Sequence, residues 1–300
     1  MSVGLEQIIV PYSRPFDWEY FLAYLRTRAA SGVEVIDPNR YVRSIQIDDA
    51  VGVVTVENDS HADQLIVRFS RSFALHATLV EQRIRRIFDL DADLPRIHRV
   101  LERDPSLVPL LAHSPGVRVP GAWCPFELLV RTIVGQQVSV KSATTVMGRI
   151  AARCGRECRS GYGPTWVFPT PRMIAESDLS AVGMPGKRVR TLQSVANAVA
   201  THELSVEASL SAASVKAALI QHAGVGPWTA EYFALRGLRD GDAWPASDLV
   251  LRRAVDERTA GSKPDANYAD RWKPFRGYAA MHLWNHATLL TQKSSHWEIS

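Results

Sequence analysis

The sequence predicts an α+β protein: a small antiparallel-sheet α+β domain at the amino end, followed by mostly α-helical domains. Three observations carry this. Apolar residues alternate with a period near two between Tyr41 and Ser70, the period becomes helical beyond about Pro95, and the helical stretches are cut short by glycine and proline. With 300 residues, 46% hydrophobic and 22% charged, the chain has an ordinary globular composition and enough length for two or three compact units.

An apolar-periodic stretch from Trp18 to Ala29 predicts the first helix. The sheet follows as a meander: Tyr41, Arg43, Ile45 and Ile47 alternate with Val42 and Ser44, then come Val51 to Val56 and Leu65, Val67 and Phe69. Asp48-Asp49 and Asn58-Asp59-Ser60 supply the turns. Leu75 to Phe88 predicts a second helix. The later helices are broken at Pro105, Pro115 to Gly121, Gly135, Gly155 to Pro171, Gly183 to Gly186, Gly224 to Pro227 and Gly237 to Pro245. Gly135 interrupts Ile133 to Ala151, and the Ser139 hydroxyl is placed to cap a new helix. The expected sheet unit is residues 1–92, and a polar, frayed tail of 291–300 closes the chain.

The amino end has no basic segment followed by an apolar core, and no apolar run reaches membrane-spanning length, so the expectation is a cytoplasmic protein without a membrane partner. Nothing resembles an oligomerisation element, which makes a monomer the expectation. Cys124, Cys154 and Cys158 form no CxxC pair and are too few for an ordinary iron–sulfur cluster, so neither that cofactor nor a bound zinc is expected. The formal charge of +4 is a mild basic excess that fits a polyanionic partner without requiring one.

The most informative stretch is Leu219 to Arg253. Two apolar helical segments flank Gly224-Val225-Gly226-Pro227. Glycines permit a turn that other residues resist and let a phosphate approach the main chain, while Pro227 suits the first turn of a helix. The free amides of such a helix start favour an anion. A lone Gly-X-Gly is equally what a plain helix connection uses. Trp228 and Tyr232 follow at a spacing of four, on one helix face, and Asp248 follows a second glycine turn. Taken alone, the rings fit core packing and the aspartate fits a helix start, with Ser247 a rival cap.

Together these residues are recognisable. GVGPWTAEYFALRG followed by PASDLVLRR resembles the helix-hairpin-helix glycosylase superfamily, and within it the DNA-3-methyladenine glycosylase II family. PFDWEYFLAYLRTRA, PFELLVRTIVGQQVSVKSA and RWKPFRGYAAMHLW resemble further blocks of that family, in its order and over nearly the whole chain. The resemblance implies helix-hairpin-helix glycosylase domains after the sheet domain, as a helical unit of 93–117 plus 241–290 and a central helical unit of 118–240. It implies Asp248, in the first of these, as the catalytic carboxylate, and Trp228, Tyr232, Trp284 and Tyr24 around a base pocket. It implies Gly224, Val225 and Gly226 as the hairpin's DNA contact, with a monovalent cation at the hairpin. Where the family places an intercalating wedge, often a leucine, this chain has Gln137, with Val138 the neighbouring candidate. The Gly183 to Gly186 turn presents Lys187 as a further backbone contact, within a basic set of Arg131, Lys141, Arg149, Arg153, Arg156, Arg159, Arg188 and Arg190.

The expected function is therefore a monofunctional glycosylase of base excision repair, flipping alkylated purines of the 3-methyladenine type out of double-stranded DNA and hydrolysing the glycosidic bond. Such bases are cationic, good leaving groups, and attracted to ring faces. Two rival readings stand beside it: a catalytically silent module that binds damaged DNA, and an oxidised-base glycosylase with lyase activity. The lyase needs a lysine just after the hairpin glycines, where this chain has Trp228; Lys187 and Lys216 are expected to be solvated or phosphate-facing. Tyr278 and His282, four apart, are expected to pack rather than react, and Trp123, Trp166, Trp244 and Trp272 to anchor the core.

Overall fold

A computed structural model describes residues 4–207, 209–258 and 267–297, with side chains up to residue 290. Five strands, β1 (Leu5–Pro11), β2 (Glu34–Ile36), β3 (Arg40–Ile47), β4 (Ala50–Asp59) and β5 (Gln64–Ser70), form one antiparallel sheet in the order β1-β5-β4-β3-β2. The predicted meander is β3 to β5. The two edge strands escaped sequence reading because β2 is only three residues long and β1 is ordered by pairing with β5, far along the chain.

The alternation decides which residues face which layer. Val54, Val56, Val67 and Phe69 turn toward α1 (Trp18–Arg28) and α2 (Ala77–Ile87), whose Phe21, Leu22, Val80 and Ile84 complete one buried cluster. Val53, one residue out of step, faces the opposite way onto Cys158 and Val167 of the segment between α6 (Val140–Cys154) and α7 (Pro171–Glu176). Asp17 caps α1 by accepting from the Tyr20 amide at 2.8 Å.

The helical part comprises α3 (Leu94–Leu101), α4 (Val108–His113), α5 (Pro125–Val134), α6, α7, α8 (Gly186–Ala200), α9 (Ala212–Ile220), α10 (Pro227–Phe233), α11 (Leu249–Arg258) and α12 (Arg276–Trp297). The predicted breaks at Gly135 and Gly155 are the ends of α5 and α6, and Ser139 caps α6 through its hydroxyl. One expectation needs correction: α12 runs to Trp297, past the start of the expected frayed tail, and only residues 298–300 of that tail lie outside the described residues. No helix among the described residues is long and apolar enough to cross a membrane.

The sheet and the helices are joined by buried charge. Arg43 on β3 donates to Glu127 of α5 at 2.7 Å, and Arg131 donates to Glu127 at 2.6 Å and to Glu34 of β2 at 2.5 Å. Tyr41 donates to Glu34 at 2.8 Å. Burial alone would raise the Glu34 carboxyl, yet Arg131 and Arg43 hold it down at about 2. Removing one member of such a cluster leaves an uncompensated buried charge and costs about 3–5 kcal/mol. Arg131 is thereby taken out of the expected phosphate-facing set. A second tie links Asp89 to Arg239, to the Tyr278 hydroxyl at 3.0 Å and to the Val119 amide at 3.0 Å.

His282 on α12 is 2% exposed, and neither ring nitrogen has a hydrogen-bond partner among the described residues. Burial, and secondarily His98 with its ring 6.1 Å away, push it down to about 3. The unfolded chain therefore takes up a proton near pH 6.5 that the folded chain refuses until about pH 3, and stability falls as pH falls through that window. Denaturant melts between about pH 4.5 and 6.5 should show a shallower pH slope for His282→Phe than for the wild type; identical slopes would assign the acid sensitivity elsewhere.

Candidate active site and DNA-facing hairpin

Asp248 precedes α11, and its carboxylate is held at both oxygens. Oδ1 accepts from the Val250 and Leu251 amides and from Trp284 Nε1, all at 3.0 Å, and Oδ2 accepts from Trp228 Nε1 at 3.0 Å. Asp248 is thus both a helix cap and the centre of the site, and it takes the cap position from Ser247. Its two indole partners come from α10 and α12, so three helices meet at one side chain.

The rings form a wall. Trp228 and Tyr232, one turn apart on α10, stack with centroids 5.2 Å apart and planes at 20°. Trp284 meets Tyr232 edge-on at 5.9 Å and 63°. Tyr24, from α1 of the sheet domain, brings its hydroxyl within 3.4 Å of the Tyr232 hydroxyl. All four rings and Asp248 line one cavity of about 500 Å³, ample for a nucleobase. Burial pushes the Tyr24 phenol up to about 12, whereas Arg236 and Arg28 outweigh the burial of Tyr232 and bring its phenol below the ordinary value.

The hairpin joins α9 to α10. Gly224 has φ +86, and a Cβ there would run into the Thr191 side chain on α8, so glycine is required twice over. Gly226 differs: its φ of −105 suits any residue, and a Cβ would meet no protein atom within 4 Å. Val225 is buried between them. Thr191 donates to the Ala223 carbonyl at 2.9 Å, and Lys187, one turn earlier on α8, is exposed.

Gln137 is exposed and adopts a left-handed φ of +53, in the turn between α5 and α6; Val138 beside it lines the cavity. A non-glycine residue held in that region marks a constrained loop. The constraint comes from Gln136, which sequence reading passed over: its Nε2 donates to the Gly224 carbonyl at 3.0 Å and to Thr229 Oγ1 at 2.9 Å. Only the doubled glutamine after Gly135 hinted at it.

One expectation about cations is corrected. Lys216 is neither solvated nor phosphate-facing, since its Nζ lies 3.0 Å from Glu231 and 3.7 Å from Asp240. Arg153 and Arg159 pair with Asp178 and Glu157. Lys141, Arg149, Lys187, Arg188 and Arg190 make no ion pair among the described residues. Trp272 bears out its structural role, fully buried and donating to Asp104 at 2.9 Å.

Comparison with known proteins identifies the family. Residues 7–124 match the family described as the AlkA N-terminal domain, and residues 130–273 match the HhH-GPD superfamily of base excision DNA repair proteins. The chain is 35% identical over 276 residues to DNA-3-methyladenine glycosylase 2 of Escherichia coli, covering 90% of this chain and 94% of that protein. The chain belongs to the DNA-3-methyladenine glycosylase II family. A probable bifunctional transcriptional activator/DNA repair enzyme AlkA of Mycobacterium tuberculosis is 34% identical over 287 residues, 94% of this chain, but this family member spans only 57% of that relative's length. A solved 3-methyladenine DNA-glycosylase from Archaeoglobus fulgidus has the same fold, with a TM-score of 0.79, 20% identity and coverage of 94% of this chain and 98% of that one.

If Gln136 braces the Gln137 turn against the hairpin, Gln136→Ala should weaken binding to duplex DNA containing a stable abasic-site analogue by roughly 5- to 30-fold, the worth of one to two lost hydrogen bonds. Fluorescence anisotropy measures it, and unchanged affinity would leave the turn self-supporting.

Proposed function

We propose that this chain is a DNA glycosylase that extrudes alkylated purines from duplex DNA and hydrolyses their glycosidic bond, with no lyase step. The observation that carries the reading is the Asp248 carboxylate, fixed by two indole N–H groups at the edge of a ring-walled cavity. Oδ1 takes three donors and Oδ2 only one, so Oδ2 is the oxygen left to face the sugar.

The chemistry follows from that arrangement. An alkylated purine is cationic, gains about 0.5–2 kcal/mol from the faces of Trp228, Tyr232 and Trp284 according to how far it is desolvated, and departs neutral. Positive charge then develops at the anomeric carbon. A carboxylate that cannot rotate away stabilises that charge and orients the attacking water without reorganising. Extrusion costs a few kcal/mol of unstacking, least for lesions that already pair poorly, and a residue inserted into the gap offsets it. Gln137 is assigned this role, with Val138, exposed beside it, the neighbouring candidate.

Binding to the backbone is assigned to Gly224, Val225 and Gly226, with Lys187 nearby. The open space in front of Gly226 supports it, because nothing in the protein itself calls for a missing side chain there. The hairpin carbonyls are neutral oxygen donors, the type that suits a monovalent cation, and no step of the reaction needs one. Trp228 stands where a Schiff-base lysine would have to stand, and the Lys216 ammonium is committed to Glu231 and Asp240. Both support simple hydrolysis, and a monomer suffices for it because one chain supplies every residue of the site.

Four outcomes are expected. With methylated duplex DNA, the wild type should release free 3-methyladenine, and Asp248→Asn should release it about 10²–10⁴-fold more slowly; equal rates would remove Asp248 from the chemistry. The same substitution should lower stability by about 1–3 kcal/mol, because its amide faces the Trp228 N–H, donor to donor; thermal melting reads this. Gln137→Ala should slow excision of paired lesions more than of mismatched ones, and an equal effect on both would argue against a wedge. Borohydride should trap no covalent DNA complex with the wild type.

A further inference from the structure

The inner end of the cavity, away from Asp248, plays no part in removing a cationic base. Trp228 is hydrogen-bonded to the carboxylate, while its stacking partner Tyr232 is hydrogen-bonded to Arg236. Arg236 lines the same cavity, is 8% exposed, and takes part in no ion pair among the described residues. Its position comes from a π-helical turn, Ala234–Leu238, which continues α10 with one wider winding, a feature that gathers at functional sites. The guanidinium is fixed by Nε donating to the Pro120 carbonyl at 2.6 Å and Nη1 donating to the Tyr232 hydroxyl at 2.7 Å. Its carbon sits 4.9 Å from the Tyr24 ring centre.

A guanidinium only donates, so the Tyr232 oxygen accepts from it and the Tyr232 hydrogen points elsewhere. One direction is Tyr24, at a long 3.4 Å; the other is the cavity. Arg28, 3.9 Å over the Tyr24 ring, adds a second guanidinium with no ion pair among the described residues. The acids that also border the cavity are already engaged: Glu34 by Arg131, Tyr41 and the Ala30 amide, and Glu127 by Arg43 and Arg131. The inner wall therefore offers donors and positive charge. A cationic base gains nothing from that.

We propose that Arg236 with the hydroxyls of Tyr232 and Tyr24 is a specificity element for uncharged lesions, donating to a ring carbonyl on the base edge remote from the glycosidic nitrogen. The favoured class is the 6-oxopurines, of which hypoxanthine is the simplest, over neutral purines carrying a 6-amino donor. This rests on the glycosylase reading for how the base arrives. When an uncharged base departs, the C–N bond breaks with its electron pair staying on the base, and the negative charge spreads to the carbonyl oxygen. Water adds its hydroxyl to the anomeric carbon and its proton passes through solvent to the base, closing the balance. Donors preorganised at that oxygen stabilise the departing anion, the help that a cationic lesion does not need. Arg236 acts mainly by holding Tyr232, so it is a positioning residue, and the lowered Tyr232 phenol fits a strengthened donor.

The test compares wild type, Tyr232→Phe and Arg236→Met in two assays on the full chain. Single-turnover excision is measured on duplexes carrying hypoxanthine or 3-methyladenine, and free hypoxanthine and free adenine are titrated against tryptophan fluorescence. In both variants the hypoxanthine-to-3-methyladenine rate ratio should fall about tenfold or more, and the wild-type preference for free hypoxanthine over adenine should disappear. Equal loss on both lesions, or an unchanged ratio in Tyr232→Phe, overturns the proposal. Because Tyr232→Phe removes only a hydroxyl, it decides the matter even if Arg236→Met misfolds. A wild type that releases neither base would refute the glycosylase reading, and the free-base titration would still judge the wall.

Discussion

Asp248 closes three helices around one pair of oxygens. Its backbone begins α11, its Oδ1 satisfies two amides at that helix start, and the indole N–H groups of α10 and α12 complete its coordination. Each indole needs an acceptor once buried, and each amide at a helix start needs one too. One carboxylate meets all four needs. The group proposed to perform the chemistry is therefore the group that sets the spacing of the cavity walls, and the rings cannot shift without pulling the carboxylate with them.

The sheet domain contributes the opposite side. Arg43 and Glu34 from its strands grip α5 through Glu127 and Arg131, a contact with almost no solvent access. That grip fixes α1 relative to α10 and so places Tyr24 beside Tyr232. The ring trio alone would be a shallow face; with Tyr24, Arg28 and Arg236 added it becomes a recess with an inner end of different polarity from its mouth. The recess runs from a carboxylate to a pair of guanidiniums, over a distance spanned by aromatic faces.

The parts proposed to face DNA are likewise coupled. Gln136 ties the turn that carries Gln137 to the hairpin carbonyl of Gly224, and Thr191 ties the hairpin to α8, which carries Lys187. On the proposed reading, a duplex held at the hairpin would meet the Gln137 turn at a set distance, which is what reading a lesion by extrusion demands.

Much of this was legible along the chain because it is local. The period of the apolar residues marked the three central strands and the helices, glycine and proline marked the breaks, and the ordered blocks around Gly224, Trp228 and Asp248 identified the family. What tertiary structure alone decided is everything that depends on partners far apart in sequence: the pairing of β1 with β5, the engagement of the half-buried Arg131 and Lys216 in ion pairs instead of on a phosphate face, the brace at Gln136, and the guanidinium of Arg236 held behind Tyr232. A charged or polar side chain announces its chemistry in the sequence but not its company, since desolvation and hydrogen bonding are set by whichever groups the fold brings within a few ångströms.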